Sequence, residues 1–314
     1  MAQPSVSPLL RIGSRGSPLA LAQARQVRDR LVAALGCEPE AIAIVVIKTT
    51  GDIIQDRSLA DAGGKGLFTK EIEEALVART IDLAVHSAKD VPTLLPSGLA
   101  IAECLPREDP RDVFISRRAT TFAELPAGAK VGTASMRRQA QVLRLRPDVE
   151  VATFRGNVET RIAKLDAGTV DATLLALAGL KRLGLAGVAT TILSVEEFLP
   201  AVGQGIIALE IRDDDSRTRD ALATIGDNNA GTALLCERAF LGALDGSCRS
   251  PIAGHAEVAG SQLRFRGMVL RPDGSDALET QRSGSLAEAA ALGEDAGREL
   301  RRRAGPAFFE GMTP

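Results

Sequence analysis

Tryptophan and tyrosine are absent from this 314-residue chain, and phenylalanine occurs only nine times. Binding of nucleic acid by base stacking needs aromatic platforms, so that mode has no residues to carry it. Histidine is nearly missing as well. With His86 and His255 alone, a histidine-based zinc site or a Ser–His–Asp triad is poorly supplied, and no metal is expected. Cys37, Cys104, Cys236 and Cys248 stand too far apart to form a metal knuckle. The chain does not open with a basic stretch followed by an apolar run, so no signal peptide is read. The longest purely apolar run, Ala41 to Ile47, falls far short of the ~20 residues of a membrane span. The expectation is a cytoplasmic protein with reduced cysteines and no membrane contact. Neither sign of charge dominates. A formal net charge of −2 leaves no global basic footprint for DNA or RNA.

What is present is ordinary in amount and unusual in kind. Hydrophobic residues make up 45% and charged residues 25%, as in a folded globular protein. The length suggests two or three domains rather than one core. With so few aromatics, those cores must be built from Ala, Val, Ile and Leu. Of the 38 basic residues 31 are Arg and seven are Lys. A coding bias is the plain explanation; recognition of carboxylate or phosphate by planar, forked guanidinium groups is the functional one. Position has to separate the two.

Short apolar runs recur at 41–47, 83–85, 99–104, 113–115, 149–152 and 173–177. Several are followed by small or polar residues and then by helical periodicity. Ser17-Pro18 reads as an N-cap with proline at the first helical position. Ser135 opens a polar helix through Arg137, Arg138 and Gln141. Such alternation predicts α/β domains with parallel or mixed sheets. Arg107–Arg111 and Pro200–Gly205 are breaks. Strand 206–211 and helix 216–225 follow the second break, then a helical run over 232–244. The segments 255–258 and 263–270 alternate like antiparallel strands, with a turn at Pro272-Asp-Gly274 and a last helix over 286–303. The reading is two α/β lobes plus a small α+β C-terminal domain with an antiparallel sheet. Domain 1 takes residues 7–105 and 204–225, domain 2 takes 110–199, and domain 3 takes 228–314.

The candidate chemistry sits where strands end. His86-Ser-Ala-Lys-Asp90 follows a buried strand, the place where α/β folds hold ligands; a solvated Lys–Asp pair is the plainer alternative. Gly132-Thr-Ala-Ser-Met-Arg-Arg138 puts small residues and two arginines at a helix start, which suits an anion. A surface Arg pair is the alternative there. Arg155 and Gly156, then Arg161, follow a third strand, and Lys181 and Arg182 a fourth. Arg11, Arg15 and Ser17 flank the first. Each loop is weak alone; together they suggest one cleft lined for a polyanion. Gly63-Gly-Lys-Gly66 fails the spacing of a nucleotide loop. Cys248 lies in the turn-like Gly246-Ser-Cys-Arg-Ser-Pro251, where an exposed thiolate could act as a nucleophile beside Arg249. An incidental cysteine is the usual case.

Taken in order, R-I-G-S-R-G-S-P-L-A-L, T-T-G-D, G-G-K-G-L-F-T-K-E, A-V-H-S-A-K-D-V-P, R-E-D-P-R-D, G-T-A-S-M-R-R-Q, R-G-N-V-E-T-R, L-A-G-L-K-R-L-G, L-P-A-V-G-Q-G and C-x-x-P-I resemble the porphobilinogen deaminase family. The resemblance runs from about Leu10 into the C-terminal domain. It implies lobes like those of type II periplasmic binding proteins, and a monomeric transferase of tetrapyrrole biosynthesis. Four porphobilinogen molecules would give hydroxymethylbilane and ammonia, on a dipyrromethane cofactor thioether-linked to Cys248. It implies Asp90 as the catalytic residue. Cofactor carboxylates would fall to Ser87, Lys89, Thr133, Ser135, Arg137, Arg138 and Gly156, with Asp90 also in contact. Substrate and growing chain would fall to Arg15, Ser17, Arg155, Arg161 and Arg182. Asp61 stands where many members have lysine, Thr50 where some have arginine, and Ala88 and Ser247 replace a common methionine and glycine. The chemistry fits: every pyrrole carries two carboxylates, and a fixed carboxylate steadies the cationic azafulvene left when ammonia departs. A non-catalytic anion-binding protein would share the arginines without needing Cys248 or Asp90. A metabolite sensor would usually bring an output module, and none is read.

Overall fold

A computed structural model describes residues 8–53, 68–245 and 250–308. Asp61, the Gly63–Gly66 segment, and Cys248 with Gly246, Ser247 and Arg249 lie outside the described residues. The chain divides into two compact units, Met1–Pro106 with Ile207–Asn228, and Arg107–Ile206 with Asn229–Pro314.

The first unit begins with β1 (Leu10–Ser14), α1 (Pro18–Leu35) and β2 (Ile42–Val46). Ser17 caps α1 by accepting from the Ala20 amide at 3.3 Å, and Pro18 supplies the first turn. Ala20, Ala24, Val27 and Leu31 form its buried stripe. A single turn α2 (Thr50–Ile53), helix α3 (Lys70–Val77), β3 (Leu83–Ser87) and β4 (Leu99–Cys104) complete this stretch.

The second unit opens with β5 (Asp112–Ser116), β6 (Lys130–Gly132), α4 (Met136–Leu145), β7 (Glu150–Ala152) and α5 (Val158–Asp166). It continues through β8 (Ala172–Ala176), α6 (Leu177–Arg182) and the short β9 (Thr191–Ile192). The chain then returns to the first unit as β10 (Ile207–Arg212) and α7 (Ser216–Ala223). The two sheets repeat one pattern. Orders β2-β1-β3-β10-β4 and β7-β6-β8-β5-β9 each set three parallel strands beside one antiparallel strand and an edge strand. Alternate residues of β5 feed cores on both faces of the second sheet: Phe114 on one, Val113 and Ile115 on the other.

The rest of the second unit is α8 (Asn228–Ala243), the antiparallel sheet β11 (Ile252–Ala259), β12 (Gln262–Leu270) and β13 (Ala277–Ser285), and α9 (Ala289–Phe308). Phe240 and Phe265 pack at 4.9 Å in its core. Ala140, Leu199, Ala253, Met268 and Leu270 form a cluster shared by α4 and this sheet. The α/β lobes and the α+β C-terminal domain thus match the fold class read from the sequence. Two details differ. Strand β13 (ALETQRSGS) carries no apolar alternation; its pairing with β12 from Gln262↔Ser285 to Leu270↔Ala277 rests on the backbone ladder. Helix α4 is polar in sequence, yet it buries Arg137, Arg138 and Gln141.

Candidate active site

In the first unit, β1 and β3 are adjacent and parallel, with Ile12 opposite Leu83. The loops after them therefore leave the same sheet edge, the C-terminal edge where α/β sheets hold ligands. From β1 come Arg15 and Ser17. The Arg15 guanidinium lies 4.1 Å from the centre of the Phe68 ring, a cation–π contact that fixes its stem. Ser17 accepts from the Ala20 amide as the cap of α1 and keeps a hydroxyl proton to donate. Arg11 sits inside the strand and is spent on Asp82, through Nε at 3.0 Å and Nη2 at 2.8 Å.

From β3 come Ser87, Lys89 and Asp90. Residues 88–90 make one 3-10 turn, closed by the Val91 amide on the Ala88 carbonyl at 3.3 Å. Ser87 Oγ accepts from Gln23 Nε2 at 2.8 Å, Lys89 is half-buried and Asp90 is exposed. Behind this turn His86 Nε2 lies 3.0 Å from Glu210 Oε2, both side chains buried. The antiparallel insertion of β10 beside β3 creates that contact, with Ala208 opposite His86.

In the second unit, β6, β7 and β8 are parallel neighbours, and three more loops leave one edge. After β6, Thr133 is buried and its Oγ1 accepts from the Ser135 amide at 3.1 Å. Ser135 caps α4 through the Arg138 amide at 3.4 Å. After β7, Gly156 holds φ +125°, a conformation that a side chain resists. Asn157 caps α5 through the Thr160 amide at 2.8 Å. Arg161 Nε donates to the Gly156 carbonyl at 2.8 Å and Lys164 Nζ to the Arg155 carbonyl at 3.1 Å, so α5 grips the loop that carries Arg155. Arg155 Nε is buried with no hydrogen-bond partner. After β8, Lys181 pairs with Glu108 at 2.7 Å. Arg182 Nη2 donates to the Gly205 carbonyl at 2.7 Å, and burial pushes that guanidinium down to about 10.

Arg137 and Arg138 do not point apart. Both are 5% exposed and both converge on Asp112, the first residue of β5. Arg137 Nη2 meets Oδ2 at 2.7 Å; Arg138 Nη2 meets Oδ1 at 2.7 Å and its Nε the same oxygen at 3.2 Å. Gln204 Nε2 adds a bond to Oδ1 at 3.0 Å. Burial alone would raise the Asp112 carboxyl; the two guanidinium charges outweigh it and hold the group well below the usual carboxylate range. The sequence reading missed Asp112, Gln204, Gln23 and Glu210 as members of these clusters. Asp112 was visible only as the last residue of R-E-D-P-R-D, and Gln204 only within the Pro200–Gly205 break and the L-P-A-V-G-Q-G motif.

Comparison with known proteins adds the following. The family described as porphobilinogen deaminase, dipyromethane cofactor binding domain, matches residues 10–220, and that described as porphobilinogen deaminase, C-terminal domain, matches residues 232–302. Curated porphobilinogen deaminases of Nitrobacter hamburgensis and Nitrobacter winogradskyi are each 62% identical over 301 residues, 96% of this chain and 95% of theirs. A nutrient binding protein from Burkholderia cenocepacia, bound to methionine, aligns with TM-score 0.43 at 11% identity over 74% of this chain and 94% of its own.

Proposed function

The chain belongs to the porphobilinogen deaminase family, and from that membership we propose how its residues divide the work. The reaction is the stepwise head-to-tail condensation of four porphobilinogen molecules into hydroxymethylbilane, with release of ammonia, on a covalently bound dipyrromethane. When bound, that group supplies the pyrrole on which the product chain is built.

One observation carries the assignment. Arg137 Nε, in the first turn of α4 after β6, and Arg155 Nε, in the loop after β7, are buried donors without partners beyond the C-terminal ends of two neighbouring parallel strands. An unpaired buried donor costs about 1–3 kcal/mol, more when charged. A pyrrole acetate or propionate is the forked acceptor that a guanidinium matches, so the donor set fits a dipyrromethane. We assign its carboxylates to Ser87, Lys89, Thr133, Ser135, Arg137, Arg138 and Gly156. Incoming substrate and the growing chain go to Arg15, Ser17, Arg155, Arg161 and Arg182.

Cys248 is our attachment residue. Support comes from the alternatives: Cys104 is buried, Cys37 is half-buried against the apolar core of the first unit, and burial together with Glu237 pushes the Cys236 thiol up to about 12, far from a thiolate at neutral pH. Asp90, exposed on the turn after β3, is our catalytic carboxylate. It would accept from pyrrole N–H groups, steady the cation left by ammonia and carry the proton. Three separate sheets support the division into domains at 7–105 with 204–225, 110–199 and 228–314. We further infer a cytoplasmic monomer without nucleic acid. Among the described residues no helix is long and apolar enough to cross a membrane.

Intact mass after incubation with porphobilinogen tests both roles. Wild type should carry two pyrrole units that Cys248→Ser lacks. Asp90→Asn should keep the adduct and lose about 10²–10⁴-fold in turnover. An adduct on Cys248→Ser, or near-normal turnover by Asp90→Asn, would remove the residue concerned from its role.

A further inference from the structure

Consecutive helical residues diverge by about 100°, and cations are disfavoured at a helix N-terminus, where the macrodipole is positive. Arg137 and Arg138 are the second and third residues of α4. Both are desolvated at that end, which is the least favourable place for two guanidinium groups. They stay there because the β5 register, Asp112 opposite Ala176, delivers one carboxylate to the same edge. Asp112 offers one oxygen to each arginine. The far side of each guanidinium is pinned to a carbonyl: Arg137 Nη1 to Leu199 at 2.7 Å, and Arg138 Nη1 to Leu174 at 3.0 Å. Gln204 holds the carboxylate in turn, with Nε2 bridging Asp112 Oδ1 and the Pro110 carbonyl at 2.7 Å.

The charges do not cancel. Two guanidinium groups face one carboxylate, and among the described residues no second carboxylate lies within ion-pair distance of either. Each guanidinium has five N–H donors, and Arg137 Nε remains buried without an acceptor.

We propose that Asp112 is a positioning residue for the reaction: it locks Arg137 and Arg138 into one rigid pair and neutralises only half of their charge, leaving the pair set for a single pyrrole carboxylate. Gln204 sets the orientation of Asp112. The inference rests on the assignment of both arginines to the cofactor's carboxylates. A fully neutralised pair would bind such a group weakly. A pair without Asp112 would splay and carry twice the surplus.

The test counts primer per folded molecule by intact mass after incubation with porphobilinogen, then measures kcat per primed molecule and KM. Asp112→Asn keeps the shape and removes the charge. It should cut primer occupancy, and kcat per primed molecule, by at least about tenfold, with KM within twofold of wild type. Loss of folded protein alone would leave kcat per primed molecule unchanged, and that result overturns the proposal. If Asp112→Asn does not fold, Gln204→Leu keeps every charge and should lower the same two readouts about threefold or more; wild-type values would overturn the proposal. Arg137→Leu separates the two layers. Normal priming by Arg137→Leu defeats the underlying assignment. Failed priming by Arg137→Leu beside wild-type behaviour of Asp112→Asn defeats the positioning role alone.

Discussion

At the scale of single residues, the most sensitive positions are buried charges whose partner can be removed. Glu237 on α8 is fully buried and accepts from Arg107 Nη1 at 2.6 Å, the Gly203 amide at 2.6 Å and the Ala256 amide at 2.7 Å. His255 Nδ1 lies 3.7 Å away. Arg107→Ala would leave that carboxylate buried without its cation, at a cost of about 3–5 kcal/mol. Arg28→Ala, which breaks an exposed pair with Asp29, should cost about 0–1 kcal/mol. Urea unfolding of the two variants checks the contrast; equal losses would show that burial does not set the energy here. Arg107 was legible in the sequence as part of a charged break. Its partner, 130 residues away, was not, because no local pattern marks a long-range ion pair.

At the scale of elements, α4 is held from two sides. Its N-terminus is tied to Asp112, and its back meets the turn between β12 and β13. Gln139 Nε2 donates to the Pro272 carbonyl at 3.2 Å. Gly274 in that turn holds φ +73°, and a Cβ there would stand 2.5 Å from the Arg144 amide nitrogen and 2.8 Å from the Ala140 carbonyl oxygen. Gly274→Ala adds a left-handed conformation for a side chain to a clash with backbone. It should destabilise by about 1–3 kcal/mol or more, read as a lower Tm. An unchanged Tm would mean that the turn can lift off α4 without cost. The Pro272-Asp-Gly274 turn was legible from residue chemistry. Strand β13 after it was not, since a strand with one exposed face and few apolar residues takes its place from its partner's ladder.

At the scale of the whole molecule, acid stability follows from the carboxylates that the fold depresses. Glu237 is brought down to about 2; burial opposes this, and the charges of Arg107 and His255 outweigh it. Asp112 lies well below the usual range for the same kind of reason. Unfolded carboxyls titrate near 4, so the unfolded chain binds more protons than the folded one below that pH. The contribution is therefore fully present above about pH 5–6, begins to fall as pH drops through the unfolded value near 4, and is lost as pH falls toward 2. For Glu237 alone the shift corresponds to roughly 3 kcal/mol. Urea midpoints at pH 7, 6 and 3 should agree at the first two and drop sharply at the third, and Glu237→Gln should flatten that drop. A flat profile in wild type would contradict the depressed values.

The sequence alone determined what depends on near neighbours. Strand and helix alternation, the caps at Ser17 and Ser135, the Gly274 turn and the basic loops after β1, β6, β7 and β8 all follow from hydropathy period, side-chain reach and backbone sterics within a few residues. Tertiary structure alone decided which buried polar and ionisable side chains meet. Asp112 with Arg137 and Arg138, His86 with Glu210, and Arg107 with Glu237 are separated by 25, 26, 124 and 130 residues. Hydropathy states that a residue is buried; strand order and register state beside what, and a buried charge persists only where that neighbour answers it.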